Sequence, residues 1–280
     1  MSQPVDVSNV SVRPAVKARF GLAFPSLIYR LYERQLLRQV QRFPVPGHVG
    51  LILDGNRRYG RQHSLTNPRD VYSIGSEKLD DLLGWRAELA IPAITLWVFS
   101  TDNLRRVPEE VSGILAAVET KLTLLSQDPR IHQRRIRVRA VGRLELLPAS
   151  TLAAVRAAER ATEGYEDMQL TIAAAYGGRQ EITDAVQALL REQQKQGKTL
   201  DQTIALVTPE AISRYLYAPD LPDPDLIIRT SGEIRLSGFL LWQSAHSEFY
   251  FTDVFWPAFR KIDFLRAVRA FQQRRRRYGR

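Results

Sequence analysis

The 280-residue chain contains no cysteine, which excludes disulfides and thiolate metal sites. Its four histidines, His48, His63, His132 and His246, show no zinc-ligand spacing. No apolar run approaches the ~18 residues needed to cross a bilayer. The first ten residues are polar and carry no secretory pattern, so a cytoplasmic protein is the expectation. There is no G-x-x-x-x-G-K-[ST], no G-x-G-x-x-G after a strand and no G-x-S-x-G. These absences argue against ordinary P-loop, dinucleotide-binding and Ser/His/Asp hydrolase chemistry. Lysine is scarce too: of 40 basic residues 34 are arginine and 6 are lysine. The net charge of +10 favours polyanions, whether nucleic acid, anionic lipid or phosphorylated small molecules. Arginine suits bidentate phosphate binding, although a GC-rich genome would produce much of the same excess.

What is present reads as one α/β domain with a substantial core, since 44% of the residues are hydrophobic. Apolar runs at 48–53, 94–99, 170–175 and 226–228 read as buried strands. The run 136–141 alternates with arginine, which places it nearer an edge, and 248–251 reads as the last strand. Helical spacing runs over 25–42, 72–89, 108–125, 149–163, 180–193, 209–217 and from 263 into the arginine run Arg274 to Arg277. Residues 1–22 read as irregular and mobile, and 62–70 and the stretch around Gly197 as loops. Strands alternating with helices imply a single domain with a mostly parallel central sheet flanked by helices. The helix over 25–42 carries arginine every fourth residue, at Arg30, Arg34, Arg38 and Arg42, opposite an apolar side. Such a helix can lie on an anionic membrane surface or pack on the domain with its basic face solvated; both readings stay open.

Ligands of open α/β sheets bind beyond the carboxyl ends of the strands. The first strand delivers Asp54, the flexible turn Gly55-Asn56, then Arg57 and Arg58. The second delivers Ser100, Asp102, Asn103 and Arg106, and a later one Arg229, Thr230, Arg235 and Ser237. An acid can hold a divalent cation, while backbone N–H groups and arginines hold phosphate oxygens. This supplies arginine for two diphosphates but few carboxylates, so a metal would lean on substrate phosphates, as Mg²⁺ does. The bland alternative for Asp54 is an Asx-type turn with surface arginines. Asp80-Asp81 lacks the aspartate-rich box of trans-type prenyl synthases and reads as a solvated helix turn.

These stretches resemble the cis-prenyltransferases, the undecaprenyl diphosphate synthase family. The resemblance is carried by His48 through Arg58, Phe99 through Arg106, Ala175-Tyr176-Gly177-Gly178-Arg179, Asp225 through Gln243, and Glu248 through Pro257. It covers residues 46–280 and implies that family's fold for this catalytic domain, with residues 1–45 left as an extension bearing the basic amphipathic helix. It implies a Mg²⁺-dependent homodimer that condenses isopentenyl diphosphate with an allylic diphosphate, geranyl or farnesyl, to form a Z double bond. Asp54 would bind Mg²⁺ and the allylic diphosphate, which Gly55, Asn56, Arg57 and Arg58 would cradle. Arg229, Arg235 and Ser237 would hold isopentenyl diphosphate, and Arg106 and Leu236 would contact substrate. Glu248 would be the second metal-ligating carboxylate, reaching the neighbouring subunit's site. Asn103 corresponds to the residue assigned to proton removal, although a neutral amide is a weak base. The remaining substrate positions are Tyr59, Arg69, Tyr72, Ser100, Thr101, Asp102 and Leu104. Tyr59, Tyr72 and His246 depart from the family's usual tryptophan, histidine and tyrosine. Arg69 is placed across a loop one residue longer than usual.

Leu104 and Val98 stand where long-chain members carry tryptophan and alanine. They resemble the short-chain actinobacterial members that make (2Z,6E)-farnesyl diphosphate, the expected product. The alternative is a longer polyprenyl diphosphate that serves as a cell-wall lipid carrier. Peripheral contact with the inner face of the cell membrane is a further candidate. A basic nucleic-acid-binding protein is the remote alternative, but no basic-aromatic module is present, so nucleic acid is not an expected partner. A noncatalytic partner subunit would lack Asp54 and the Arg229 to Ser237 block. The arginine run at 274–277 is assigned to the dimer or the substrate site rather than to a free tail.

Overall fold

A computed structural model of the chain describes residues 23–278, with side chains from 27 to 274. The irregular segment expected over 1–22 lies outside the described residues. Six strands, β1 His48–Ile52, β2 Ala93–Trp97, β3 Ile136–Val141, β4 Met168–Ala173, β5 Leu226–Arg229 and β6 Glu248–Phe251, form one sheet in the order β3-β4-β2-β1-β5-β6. Every pairing is parallel, so all six carboxyl ends open on one rim. β1 lies between β2 and β5, where the chain's progress along the sheet changes direction; this is where α/β sheets open a ligand crevice. The sequence places β3 near an edge, and it is one of the two edge strands, β6 being the other.

The helices are α1 Ala23–Val40, α2 Asn56–Gln62, α3 Pro68–Leu89, α4 Pro108–Gln127, α5 Pro129–Gln133, α6 Ala149–Thr162, α7 Gly178–Lys195, α8 Leu200–Ile204, α9 Pro209–Ser213 and α10 Lys261–Tyr278. Several differ from the sequence reading, and the short α5 has no counterpart in it. The chain from the flexible turn at Asn56 to Gln62 forms α2, and α3 begins at Pro68, inside the stretch read as loop, capped by the Asn67 side chain, rather than at Tyr72. α8 occupies what reads as loop, started by a reciprocal cap between Thr199 and Gln202.

The core fills both faces of the sheet. Val49 and Leu51 of β1 and Ile94 and Leu96 of β2 are at most 1% exposed, as are Phe264, Leu265 and Val268 of α10. Such burial contributes roughly 1.5–3 kcal/mol per large side chain. α1 joins this core through Leu36 and Val40, and Arg260 stacks over its Tyr29 ring. Its Leu27, Ile28 and Leu31 remain exposed. The Gln272 amide ties α10 to the chain after α1 by donating to the carbonyls of Val40, Phe43 and Pro44. No helix among the described residues is long and apolar enough to cross a membrane.

Candidate active site

Asp54 stands just past β1 with its backbone clamped by Thr230. The Asp54 N–H donates to Thr230 Oγ1 at 2.9 Å, and that oxygen lies 2.7 Å from the Asp54 carbonyl. The carboxylate accepts from the Gly55 N–H at 2.7 Å and from Arg229 Nη2 at 2.8 Å, with Arg58 at 3.7 Å. Burial alone would raise this carboxyl. The hydrogen bond and charge of Arg229, with Gly55 and Arg58, outweigh it and hold the group below its ordinary range, hence ionised.

Gly55 caps α2 with φ of 102°. A Cβ there would sit 2.7 Å from the Phe255 ring and 2.9 Å from Ser231, so only glycine fits both the dihedral and the space. The turn brings the first-turn N–H groups of α2, which have no intrahelical partner, to the rim beside Asp54. Asn56 donates to the Leu53 carbonyl while its Oδ1 is buried without a partner. Arg58 reaches Ser231 Oγ and Glu233.

Arg229 closes β5 and is 4% exposed. One amino group donates to the Arg235 carbonyl and to Ser237 Oγ, and its Nε is buried without a partner. The turn that follows holds Ser231 at φ 80° and Ser237 at φ 53°, αL conformations that cost L residues energy and cluster at ligand clamps. Arg235 pairs with Glu233 and donates to Ser237. Beyond β2, Ser100 and Asn103 cap a short 3₁₀ turn reciprocally: Asn103 Oδ1 accepts from the Ser100 N–H at 2.8 Å. Glu110 of α4 collects Arg106 at 2.6 Å, the Tyr72 hydroxyl at 2.8 Å and Arg57 at 3.5 Å. Burial and then the Glu110 hydrogen bond raise the Tyr72 phenol, so it stays a neutral donor.

These groups surround a polar cleft of about 570 Å³. Of the residues expected there, Asp54, Gly55, Asn56, Arg57, Arg58, Tyr72, Ser100, Asp102, Asn103, Arg106, Arg229, Arg235 and Ser237 line it. Tyr59, Arg69, Thr101, Leu104 and Leu236 do not. Tyr59 stacks on His63, and the Arg69 backbone serves the Asn67 cap. Leu236 packs against the cluster around Tyr176 and Phe239, and Leu104 sits in a separate groove beside Arg106. Glu248 opens β6 opposite Leu226, at the far end of the sheet from Asp54, and pairs with Arg274 at 2.9 Å. Sequence reasoning missed Glu110 and Glu233. Both look like ordinary surface carboxylates until the fold surrounds them with the cleft's arginines.

A narrow apolar tunnel runs from the cleft between α3 and α4, sharing Leu53, Asn56, Tyr72, Val98 and Ile114 with it. Gly75 leaves the space that Asn56 occupies: a Cβ there would lie 2.5 Å from Asn56 Oδ1. Among the described residues no group of three or more His, Asp or Glu could hold a metal by itself. One half-exposed, ionised carboxylate fits a hard cation that takes its other ligands from phosphate and water.

Fold and cleft together define an α/β protein that presents a cluster of arginines at the mouth of an apolar tunnel. The comparisons name the class. A family model described as "Putative undecaprenyl diphosphate synthase" matches residues 52–279. The chain is 54% identical over 249 residues to an isoprenyl transferase of Deinococcus radiodurans, covering 89% of this chain and 90% of that one. It is 49% identical to (2Z,6E)-farnesyl diphosphate synthase of Thermobifida fusca, covering 90% and 97%. It is 48% identical to the geranylgeranyl-diphosphate-specific tritrans,polycis-undecaprenyl-diphosphate synthase of Methanopyrus kandleri, covering 90% and 92%. The crystal structure of lavandulyl diphosphate synthase from Lavandula x intermedia with dimethylallyl diphosphate superposes with a TM-score of 0.74 at 28% identity, covering 81% of this chain and 95% of that one. The chain belongs to the cis-prenyltransferases, transferases that make Z-prenyl diphosphates.

Proposed function

We propose that this enzyme condenses isopentenyl diphosphate with geranyl diphosphate and releases a short product, (2Z,6E)-farnesyl diphosphate. The observation that carries this reading is the direct opening of the arginine-lined cleft into a narrow apolar tunnel. Diphosphate and prenyl tail have matching surfaces side by side, and Val98 narrows the shared mouth. In this reading the α2 N-terminus, Arg57 and Arg58 hold the allylic diphosphate, and Arg229, Arg235 and Ser237 hold isopentenyl diphosphate. Ionising the allylic C–O bond puts charge on the leaving diphosphate, so these groups stabilise the transition state more than the ground state. Asp54 would hold Mg²⁺, which when bound supplies further neutralisation of that charge.

The isopentenyl double bond then forms the new C–C bond, and one proton leaves. Asn103 spends its carbonyl oxygen on the Ser100 N–H, so it offers the cleft a donor, not a base. Its role here is to orient isopentenyl diphosphate while a diphosphate oxygen takes the proton. Glu248 lies at the opposite end of its own sheet, so as a metal ligand it would serve a second copy of the chain, in a homodimer. The exposed Leu27, Ile28 and Leu31 of α1, beside its arginines, support peripheral contact with an anionic membrane.

The deciding assay supplies purified enzyme, Mg²⁺ and labelled isopentenyl diphosphate with geranyl or farnesyl primer, and reads product length and double-bond geometry. A single Z,E product of farnesyl length is expected from geranyl primer; a polyprenyl ladder would overturn the short-chain assignment. Asp54→Ala is expected to slow condensation by about 10²–10³-fold or more, the loss typical when one charge-stabilising group is removed. Turnover near the unmodified rate would remove Asp54 from the mechanism.

A further inference from the structure

The apolar tunnel has one charged wall. Lys121 of α4 lines it, its side chain only 10% exposed, and its ammonium lies 2.8 Å from Asp80 Oδ1 of α3. Asp80 is no merely solvated helix turn: it also lies 3.6 Å from Arg130. Lys121 comes seven residues after Ile114 (121 − 114), and Asp80 eight after Tyr72 (80 − 72). Both reference residues sit at the mouth shared with the cleft. Both helices lead away from the cleft, so at 1.5 Å per residue the pair crosses between them roughly 11 Å below the mouth.

The lysine stem forms tunnel wall while its charged end is held outward by the aspartate. An apolar tail growing past this point must displace the stem or strip water from the ion pair. Either costs free energy that an apolar wall would not demand. Leu122 and Leu125 also line the tunnel and are apolar, so the pair interrupts an otherwise continuous path.

We propose that the Lys121–Asp80 pair is the stop that ends chain growth, which makes Lys121 the residue that sets product length. The inference rests on the cleft's being a prenyl-transfer site. Its expectations separate it from a merely structural salt bridge, because they concern length and not rate. Lys121→Ala is expected to shift the main product longer by at least one isoprene unit, and Asp80→Ala, which frees the ammonium, to shift it the same way. Lys121→Arg, which can keep the bridge, is expected to retain the unmodified length.

The experiment incubates each variant with Mg²⁺, geranyl diphosphate and excess labelled isopentenyl diphosphate, and resolves products by chain length. Thermal unfolding is recorded alongside. Should Lys121→Ala fail to fold, Asp80→Ala decides, because its side chain is 35% exposed and it leaves the tunnel wall in place. If the alanine variants condense yet give the unmodified length, the stop lies elsewhere and this inference is overturned. If the unmodified enzyme itself condenses nothing, the prenyl-transfer reading fails instead.

Discussion

Two side chains show how hydrogen-bond partners decide chemistry here. His48, 1% exposed, has Nδ1 2.6 Å from the Pro222 carbonyl and Nε2 2.8 Å from Thr95 Oγ1. A carbonyl only accepts, so Nδ1 carries the proton and Nε2 accepts from threonine. Burial, only partly offset by the Pro222 carbonyl and Asp225, lowers the imidazole from 6.5 to about 4. Its folded value is thus depressed, and the unfolded chain takes up a proton that the folded one refuses. Stability is therefore whole above about pH 6.5 and falls by up to about 3 kcal/mol as pH drops towards 4, at 1.36 kcal/mol per unit. Urea unfolding midpoints across that range should show the decline, and His48→Gln should flatten it. Asn103 supplies a parallel test. Asn103→Asp keeps the cap acceptor but loses the donor, so the melting temperature should hold while kcat falls about 10²- to 10³-fold, the loss typical when one positioned donor is removed. Turnover within a few-fold of the unmodified enzyme would show that the amide does not orient substrate.

At the scale of elements, the strands were readable because buried parallel strands are written as apolar runs, and β3 and β6 match their sequence bounds residue for residue. Asp54 and Arg229 were readable because they follow such runs. α2 was not: its seven residues, NRRYGRQ, have no apolar period and include a glycine. That helix is held by tertiary contacts, with Gly60 against Val71 and Gly55 against Phe255. Glu110 was hidden for a related reason. Its partners Tyr72 and Arg57 lie 38 and 53 residues away (110 − 72, 110 − 57), a distance only the fold closes. The same dependence makes α2 fragile. Gly55→Ala meets both a forbidden dihedral and the Phe255 ring, and should cost about 1–3 kcal/mol or more. It should also raise KM for the allylic diphosphate. Denaturant unfolding and steady-state kinetics would check both; an unchanged KM would separate the turn from diphosphate binding.

For the whole molecule, the placement of Asp54 and Glu248 at opposite ends of one sheet makes a prediction about pairs of chains. If each metal site draws Asp54 from one subunit and Glu248 from the other, Asp54→Ala and Glu248→Ala subunits are each inactive as homodimers. Mixed dimers then hold one intact site, and random remixing should restore about a quarter of the unmodified activity, since half the dimers are mixed and half their sites are whole. No recovery, with mixed dimers verified by mass spectrometry, would confine the site to a single chain.

The strand order has a consequence for biosynthesis. β1 can pair with β2 soon after both leave the ribosome, but its other edge waits for β5, 177 residues later by the register Val49↔Leu226 (226 − 49). α1, the first helix described, waits longer still, because its partner α10 follows β5 and β6 in the chain. Contacts so distant in sequence form slowly and leave an unpaired strand edge on the nascent chain. This enzyme is therefore expected to lean on chaperones until translation ends, and a messenger truncated before β5 would yield an aggregating fragment rather than a smaller working domain.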